Sequence, residues 1–147
     1  MKQSKRFLVL EDMEDVARNN CTFLQMIDPK ARCEIVPSPQ AAKDSLARHI
    51  PDLLVVDLML DEKGEIDQKT SGVAFLHYVL CHHPHLNVLI YSTNPELAKQ
   101  LSLNIEKHKG GFSIVDKMEL RTAFIAGAST ALLGEKRTPD SFVDAAY

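Results

Sequence analysis

No run of twenty apolar residues occurs in the sequence, so no segment of it is read as a bilayer span. A basic excess is missing too. The 17 Lys and Arg stand against 20 Asp and Glu, and a net charge of -3 lacks the cationic footprint of a nucleic-acid binder. The basic start is followed by a short apolar stretch at 7–10, too brief for the hydrophobic region of a signal peptide, which points to the cytoplasm. Cysteine is scarce: Cys21, Cys33 and Cys81 are odd in number, show no metal-ligand spacing, and are expected to be reduced residues of the core. What remains, 45% apolar and 25% charged over 147 residues, is ordinary for one globular domain.

The chain is organised around residues 52–60, an apolar run broken by one internal carboxylate, Asp57. Unbroken apolar character suits a strand covered on both faces. An ionised carboxylate inside such a strand would cost several kcal/mol, whereas one at the strand's carboxyl end emerges into a crevice and can meet a cation.

Around that run the pattern alternates. A strand over 7–10 ends in Glu11 and Asp12, and Asp15 is read as the cap of a helix carrying Ala17, Cys21, Leu24 and Ile27. A strand over 32–36 precedes Ser38-Pro39, an N-cap with a first-turn proline, and a helix reaching residue 50. Beyond the central strand, the polar stretch 61–70 reads as a solvated insertion, and Ser71 as the cap of a helix with Gly72, Phe75, Leu76 and Val79 on one face. A fourth strand over 87–91 leads to Ser92 and a helix from Asn94-Pro95. A fifth over 112–115 leads to Asp116-Lys117 and a helix to Gly134. Strict alternation implies right-handed crossovers and a parallel sheet with helices on both faces, its ligand site at the carboxyl ends of the strands.

Those tips carry Glu11, Asp12, Asp57, Ser92 and Lys117. Like charges about 4 Å apart repel by about 4 kcal/mol at an effective dielectric near 20, so three gathered carboxylates call for a cation. Oxygen-only ligands in an open site favour Mg²⁺ accompanied by a phosphoryl group. A carboxylate can attack phosphorus to form an acyl phosphate while the metal, a lysine and a hydroxyl neutralise the phosphoryl oxygens. Asp57, single and central, is the expected nucleophile.

With these residues in hand, the chain from Arg6 to about Leu133 resembles the receiver domain of bacterial two-component response regulators. The matching pieces are residues 7–12 ending in Glu11-Asp12, residues 52–57 ending in Asp57, Gly72, residues 88–92 ending in Ser92, and residues 111–117 ending in Lys117. The resemblance implies a flavodoxin-like α/β fold, a doubly wound five-stranded parallel sheet of order 2-1-3-4-5. It implies that Asp57 takes a phosphoryl group from a histidine kinase or a histidine phosphotransfer protein. It further implies that Asp12 ligates Mg²⁺ directly, that Glu11 acts mainly through water, that Asp57 and the Met59 backbone carbonyl complete the metal's protein ligands, and that Ser92 and Lys117 engage the phosphoryl group. Such a protein is not a turnover enzyme; it promotes only its own phosphoryl transfer and dephosphorylation, and signals by contact with a protein target, with a homodimer as one form of assembly.

Several positions depart from the family pattern. Met118 stands where a cis proline usually follows the lysine, which calls for a different turn. Ile114 replaces a switching aromatic, and Thr93 is larger than the usual neighbour of the switch hydroxyl. His82, His83 and His85 around Pro84 are read as satisfying a helix end, and Tyr91 as strand packing. Two rivals differ in class. An aspartyl phosphatase resembling the haloacid dehalogenases would need an acid two residues after its nucleophile, where Met59 stands. A degenerate receiver that only binds a partner would have lost the acidic pair, Asp57 or Lys117, all of which are present. Residues 1–134 are assigned to the receiver and 135–147 to a tail without an output domain, in which Thr138-Pro139-Asp140 reads as the start of a short docking helix.

Overall fold

The structure, a computed structural model, describes residues 4–60 and 68–139. Its strands are β1 (Arg6–Leu10), β2 (Arg32–Val36), β3 (Leu53–Val56), β4 (Val88–Ser92), β5 (Phe112–Asp116) and β6 (Lys136–Arg137). They form one parallel sheet of order β2-β1-β3-β4-β5-β6. The helices are α1 (Glu14–Ile27), α2 (Pro39–Arg48), α3 (Gln68–His82), α4 (Ser102–Lys107) and α5 (Arg121–Leu132). Among the described residues no helix is long and apolar enough to cross a membrane.

Alternation along the strands sorts the core into two layers. Leu8, Leu10, Leu54 and Val56 pack with Ala42 and Leu46 of α2, Leu76 and Val79 of α3, and Ile105 of α4. Phe7, Val9, Leu53 and Val55 pack on the other face with Ala17 and Leu24 of α1 and Phe124 and Ala128 of α5. Both faces of β1 and β3 are therefore buried, which is why these strands read as unbroken apolar runs.

The expected order 2-1-3-4-5 is present, extended by a sixth strand drawn from the tail. Gly134 takes φ 78, the left-handed conformation that glycine tolerates at a helix exit. The chain then turns alongside β5, Glu135 accepts a hydrogen bond from the Phe112 N–H, and Lys136 and Arg137 pair with Phe112 and Ser113. Thr138 and Pro139 have no regular structure, and the rest of the expected docking helix lies outside the described residues.

Local expectations met with several corrections. Ser38 caps α2, its Oγ accepting the Ala41 N–H at 3.2 Å, and the helix ends at Arg48, short of residue 50. Asp15 does not cap α1: the N-cap is Met13, and Asp15 lies in the first turn, where its charge still favours the helix dipole. Helix α3 begins at Gln68, so Ser71 lies inside it, and residues 68–70 of the expected insertion are helical. Residues 61–67 of that insertion are outside the described residues. The segment Pro95–Leu101 is a 3₁₀ helix that passes into the short α4. The reading of the cysteines as reduced core residues is also overturned. Cys21 on α1 and Cys33 on β2 form a disulfide, with Cα atoms 5.9 Å apart, and Cys81 is exposed.

Candidate functional site

Each charged group of the site begins at a strand tip, and the backbone there is held by one more ladder bond. The Glu11 N–H donates to the Val36 carbonyl at 3.1 Å, the Asp57 N–H to Leu10 at 3.1 Å, and the Lys117 N–H to Ser92 at 2.9 Å. The three residues thus leave neighbouring strands at one level of the sheet, and their side chains converge. Carboxylate oxygens of Glu11, Asp12 and Asp57 lie within 4.8 Å of one another, the one group of three or more metal-competent side chains among the described residues.

Lys117 lies among these acids. Its Nζ donates to Asp57 Oδ2 at 2.9 Å and makes a close ion pair with Glu11 Oε1. The remaining Asp57 oxygen, Oδ1, accepts the Met59 N–H at 2.9 Å, so both oxygens of that carboxylate are oriented. Glu11 is 2% exposed and Asp57 5%, whereas Asp12 is half-buried, which leaves the cluster open on the Asp12 side. Burial pushes the Glu11 carboxyl up to about 7; Lys117 pulls the other way, and Asp57 and the hydrogen bond with Asp12 add to the rise. Burial alone would lower the Lys117 ammonium, but its bonds to Glu11 and Asp57 outweigh that, and it is held above its ordinary value.

Ser92 is fully buried at the end of β4. Its Oγ accepts the Asn94 N–H at 3.1 Å, which ties the hydroxyl to its own loop. Tyr91 does more than pack in its strand. Its ring meets Phe124 edge-on at 4.8 Å between centroids, and Lys117 Nζ stands 5.9 Å from its centre. After Lys117, the Asp116 side chain accepts the Met118 N–H and its carbonyl the Glu119 N–H, a turn reached with no cis peptide bond among the described residues. Met118 itself is 83% exposed, and Ile114 is buried in the α2–α3 layer. His82 satisfies its own helix end, with Nδ1 2.9 Å from the Tyr78 carbonyl and its ring stacked on Tyr78.

Gly72 acts on the site at a distance from the charges. A Cβ on it would stand 2.3 Å from the Leu58 carbonyl oxygen and 2.5 Å from the Leu58 Cα, so α3 rests directly on the backbone that follows Asp57. The motif showed that a glycine stands there; the contact that requires it became visible only with the fold.

All-oxygen donors, two of them buried and one open to solvent, fit a small hard cation such as Mg²⁺, which keeps several waters. The set offers no nitrogen or sulfur ligand that a softer metal would favour.

No protein-family model matches the chain, and no curated protein sequence matches it. Solved structures do. The isolated REC domain of RcsB from Salmonella enterica serovar Typhimurium, determined with the phosphomimetic BeF3-, is 20% identical with a TM-score of 0.70, the match covering 97% of this chain and 99% of that one. Its apo form is 18% identical with a TM-score of 0.71, over 96% of this chain and 97% of that one. A sensor protein from Polaromonas sp. JS666 is 21% identical with a TM-score of 0.65, over 88% and 97%. With the strand order and the two helical layers, these similarities establish that the chain has the receiver-domain fold.

Proposed function

We propose that the protein is a phospho-accepting signal receiver in which Asp57 takes a phosphoryl group from the phosphohistidine of a kinase or phosphotransfer protein. The observation that carries this reading is the treatment of one carboxylate: Asp57 is held by the Met59 N–H on one oxygen and by Lys117 on the other, beside two further acids. A carboxylate needed only for stability has no use for such neighbours, since each adds repulsion that the single lysine must offset.

In the reaction an Asp57 oxygen attacks phosphorus, the P–N bond to the donor imidazole breaks, and the electron pair stays on that nitrogen, which is protonated on leaving. Asp57 must expose an oxygen for this, and Lys117 is free to pass from the carboxylate to the incoming phosphoryl oxygens, a charge-assisted contact of the same kind. Ser92 supplies a further hydroxyl: its Oγ accepts the Asn94 N–H, which leaves the O–H to donate to a phosphoryl oxygen. Glu11, Asp12 and Asp57, with the Met59 carbonyl, would hold Mg²⁺, whose chemistry here is to neutralise the phosphoryl oxygens. Turnover of external substrates is not part of this reading. The protein acts in the cytoplasm by contact with a protein target, and a change around Asp57 is what the target senses.

Incubation with acetyl phosphate and Mg²⁺, followed by a phosphate-affinity gel, tests the reading. A shifted band that needs Mg²⁺ and vanishes on chelation is expected. Steady release of nitrophenol from nitrophenyl phosphate without a labelled protein would favour the phosphatase, and neither signal would favour a binding module that ignores phosphate.

A further inference from the structure

Strands β1 and β2 run in a register that sets Arg6 beside Arg32 and Leu8 beside Glu34. Matched positions on neighbouring parallel strands share a face, and by alternation this is the face of Leu8 and Leu10, beneath α2. The two arginines are therefore side by side at the amino ends of their strands, and neither guanidinium is in an ion pair with a carboxylate among the described residues. They line a cavity of about 190 Å³ together with His49 at the end of α2, over a floor that includes the buried Leu8 and Pro51. Glu34, the only acid lining it among the described residues, is already engaged: its Oε1 accepts the Ser45 hydroxyl at 2.6 Å and its Oε2 lies 3.5 Å from Arg48.

Adjacent like charges on one sheet face are unfavourable, and an anion would relieve them. Guanidinium forks match a phosphate or a carboxylate in bidentate geometry. The backbones of the two arginines are fixed, the Arg6 N–H by Asp52 Oδ2 at 2.8 Å and the Arg32 N–H by the Lys5 carbonyl at 2.9 Å, so binding has only their side chains to order. The cavity is smaller than the roughly 300–1,000 Å³ of sites that enclose drug-sized ligands, which limits the occupant to a small molecule. We infer that this cavity binds a small organic anion, an anionic phosphate or carboxylate head on a short apolar body, at the end of the sheet opposite Asp57. The head lies against Arg6, Arg32 and His49, and the body against Leu8 and Pro51.

NMR titration of the full chain with phenyl phosphate, benzoate and inorganic phosphate tests this. Saturable shifts at the amides of Arg6, Arg32 and His49 are expected with at least one of the two aromatic anions, and a preference between them identifies the head. Affinity should fall about tenfold or more in Arg6→Gln and Arg32→Gln, and less in Arg32→Lys, which keeps the charge but loses the fork. Both glutamine variants should unfold at the same temperature as the parent or higher. Absence of saturable shifts with all three probes, shifts confined to the amides around Asp57 and Lys117, or unchanged affinity in the glutamine variants would overturn the inference. Inorganic phosphate binding as tightly as phenyl phosphate and benzoate would overturn the role of the apolar floor.

Discussion

The two ends of the parallel sheet gather charge of opposite sign and manage it differently. At the carboxyl end three acids converge and one lysine is inserted among them, so the repulsion is answered within the chain. At the amino end two arginines stand on neighbouring strands, and among the described residues neither guanidinium is in an ion pair: Glu34 is taken up by Ser45 and Arg48, and Asp52 by the Arg6 backbone N–H. The signs follow from the fold: helix amino termini, with partial positive charge, face the carboxyl ends of the strands, and helix carboxyl termini face the amino ends. What the fold does not require is the burial of the acids, with Glu11 and Asp57 nearly inaccessible while Arg6 and Arg32 stay exposed. Charge is costly at one end and cheap at the other. The expensive end is where chemistry is expected.

That contrast is sharpest on removing a charge. Lys117→Ala should lower stability by about 3 kcal/mol above neutral pH without divalent metal, because it strands buried carboxylates, and added Mg²⁺ should restore part of the loss. Chemical denaturation with and without Mg²⁺ measures both. A loss under about 0.5 kcal/mol, the scale of an ordinary surface change, would mean that the carboxyl end is as well solvated as the amino end.

The ends also differ in what pins their backbones. Cys33 pairs in register with Phe7, so its bond to Cys21 fastens α1 toward the amino half of the sheet. Cys21→Ser should cost about 2–4 kcal/mol and leave labelling of Asp57 intact. Thiol counting by mass spectrometry with a thermal melt checks this; lost labelling at retained fold would tie the disulfide to the site. The carboxyl end is pinned by contact, and Gly72→Ala should cost about 1–3 kcal/mol as its Cβ drives into Leu58. Unlike the cysteine change, it should also slow phosphorylation at temperatures where the variant remains folded.

Titration separates the ends more gently. Glu11 has a folded-state value of about 7 against 4.5 unfolded, so between those values the folded protein binds more protons than the unfolded chain. Without metal, stability should therefore fall as pH rises from about 4.5 to 7 and level off above, and Glu11→Gln should flatten that slope. His108 runs the other way. Burial holds it below its ordinary value, against the opposing effect of the bond between Nε2 and the Leu86 carbonyl at 2.6 Å, so its contribution is full above about 6.5 and is lost as pH falls below that. A parent and a Glu11→Gln variant with parallel profiles would contradict the burial argument. At the amino end, Arg32→Gln should stay within about 0.5 kcal/mol of the parent.

Much of the fold was legible because its strands carry two-faced apolar runs, and the acids at their tips stand out against such runs. Ser38-Pro39 and the acidic pair belong to this class, in which a local pattern has one physical reading. The misses needed distance information. Cys21 and Cys33 look like ordinary half-buried residues of a helix and a strand, and only the packing of α1 against the sheet brings them within bonding reach. Strand β6 is two residues long and has no periodicity to detect; its one local sign was Gly134. The arginine pair was invisible for a similar reason: Arg6 and Arg32 become neighbours only through the β1–β2 register. Tyr91 reads as strand packing from alternation, and its approach to Lys117 depends on where the β5 tip turns.

The most direct test of the central claim is to find the atom that carries the phosphoryl group. After incubation with acetyl phosphate and Mg²⁺, borohydride reduction of the acyl phosphate and peptide mass spectrometry should show homoserine at position 57 and nowhere else, and Asp57→Asn should abolish it. Modification at another residue, or undiminished labelling of Asp57→Asn, would contradict the account.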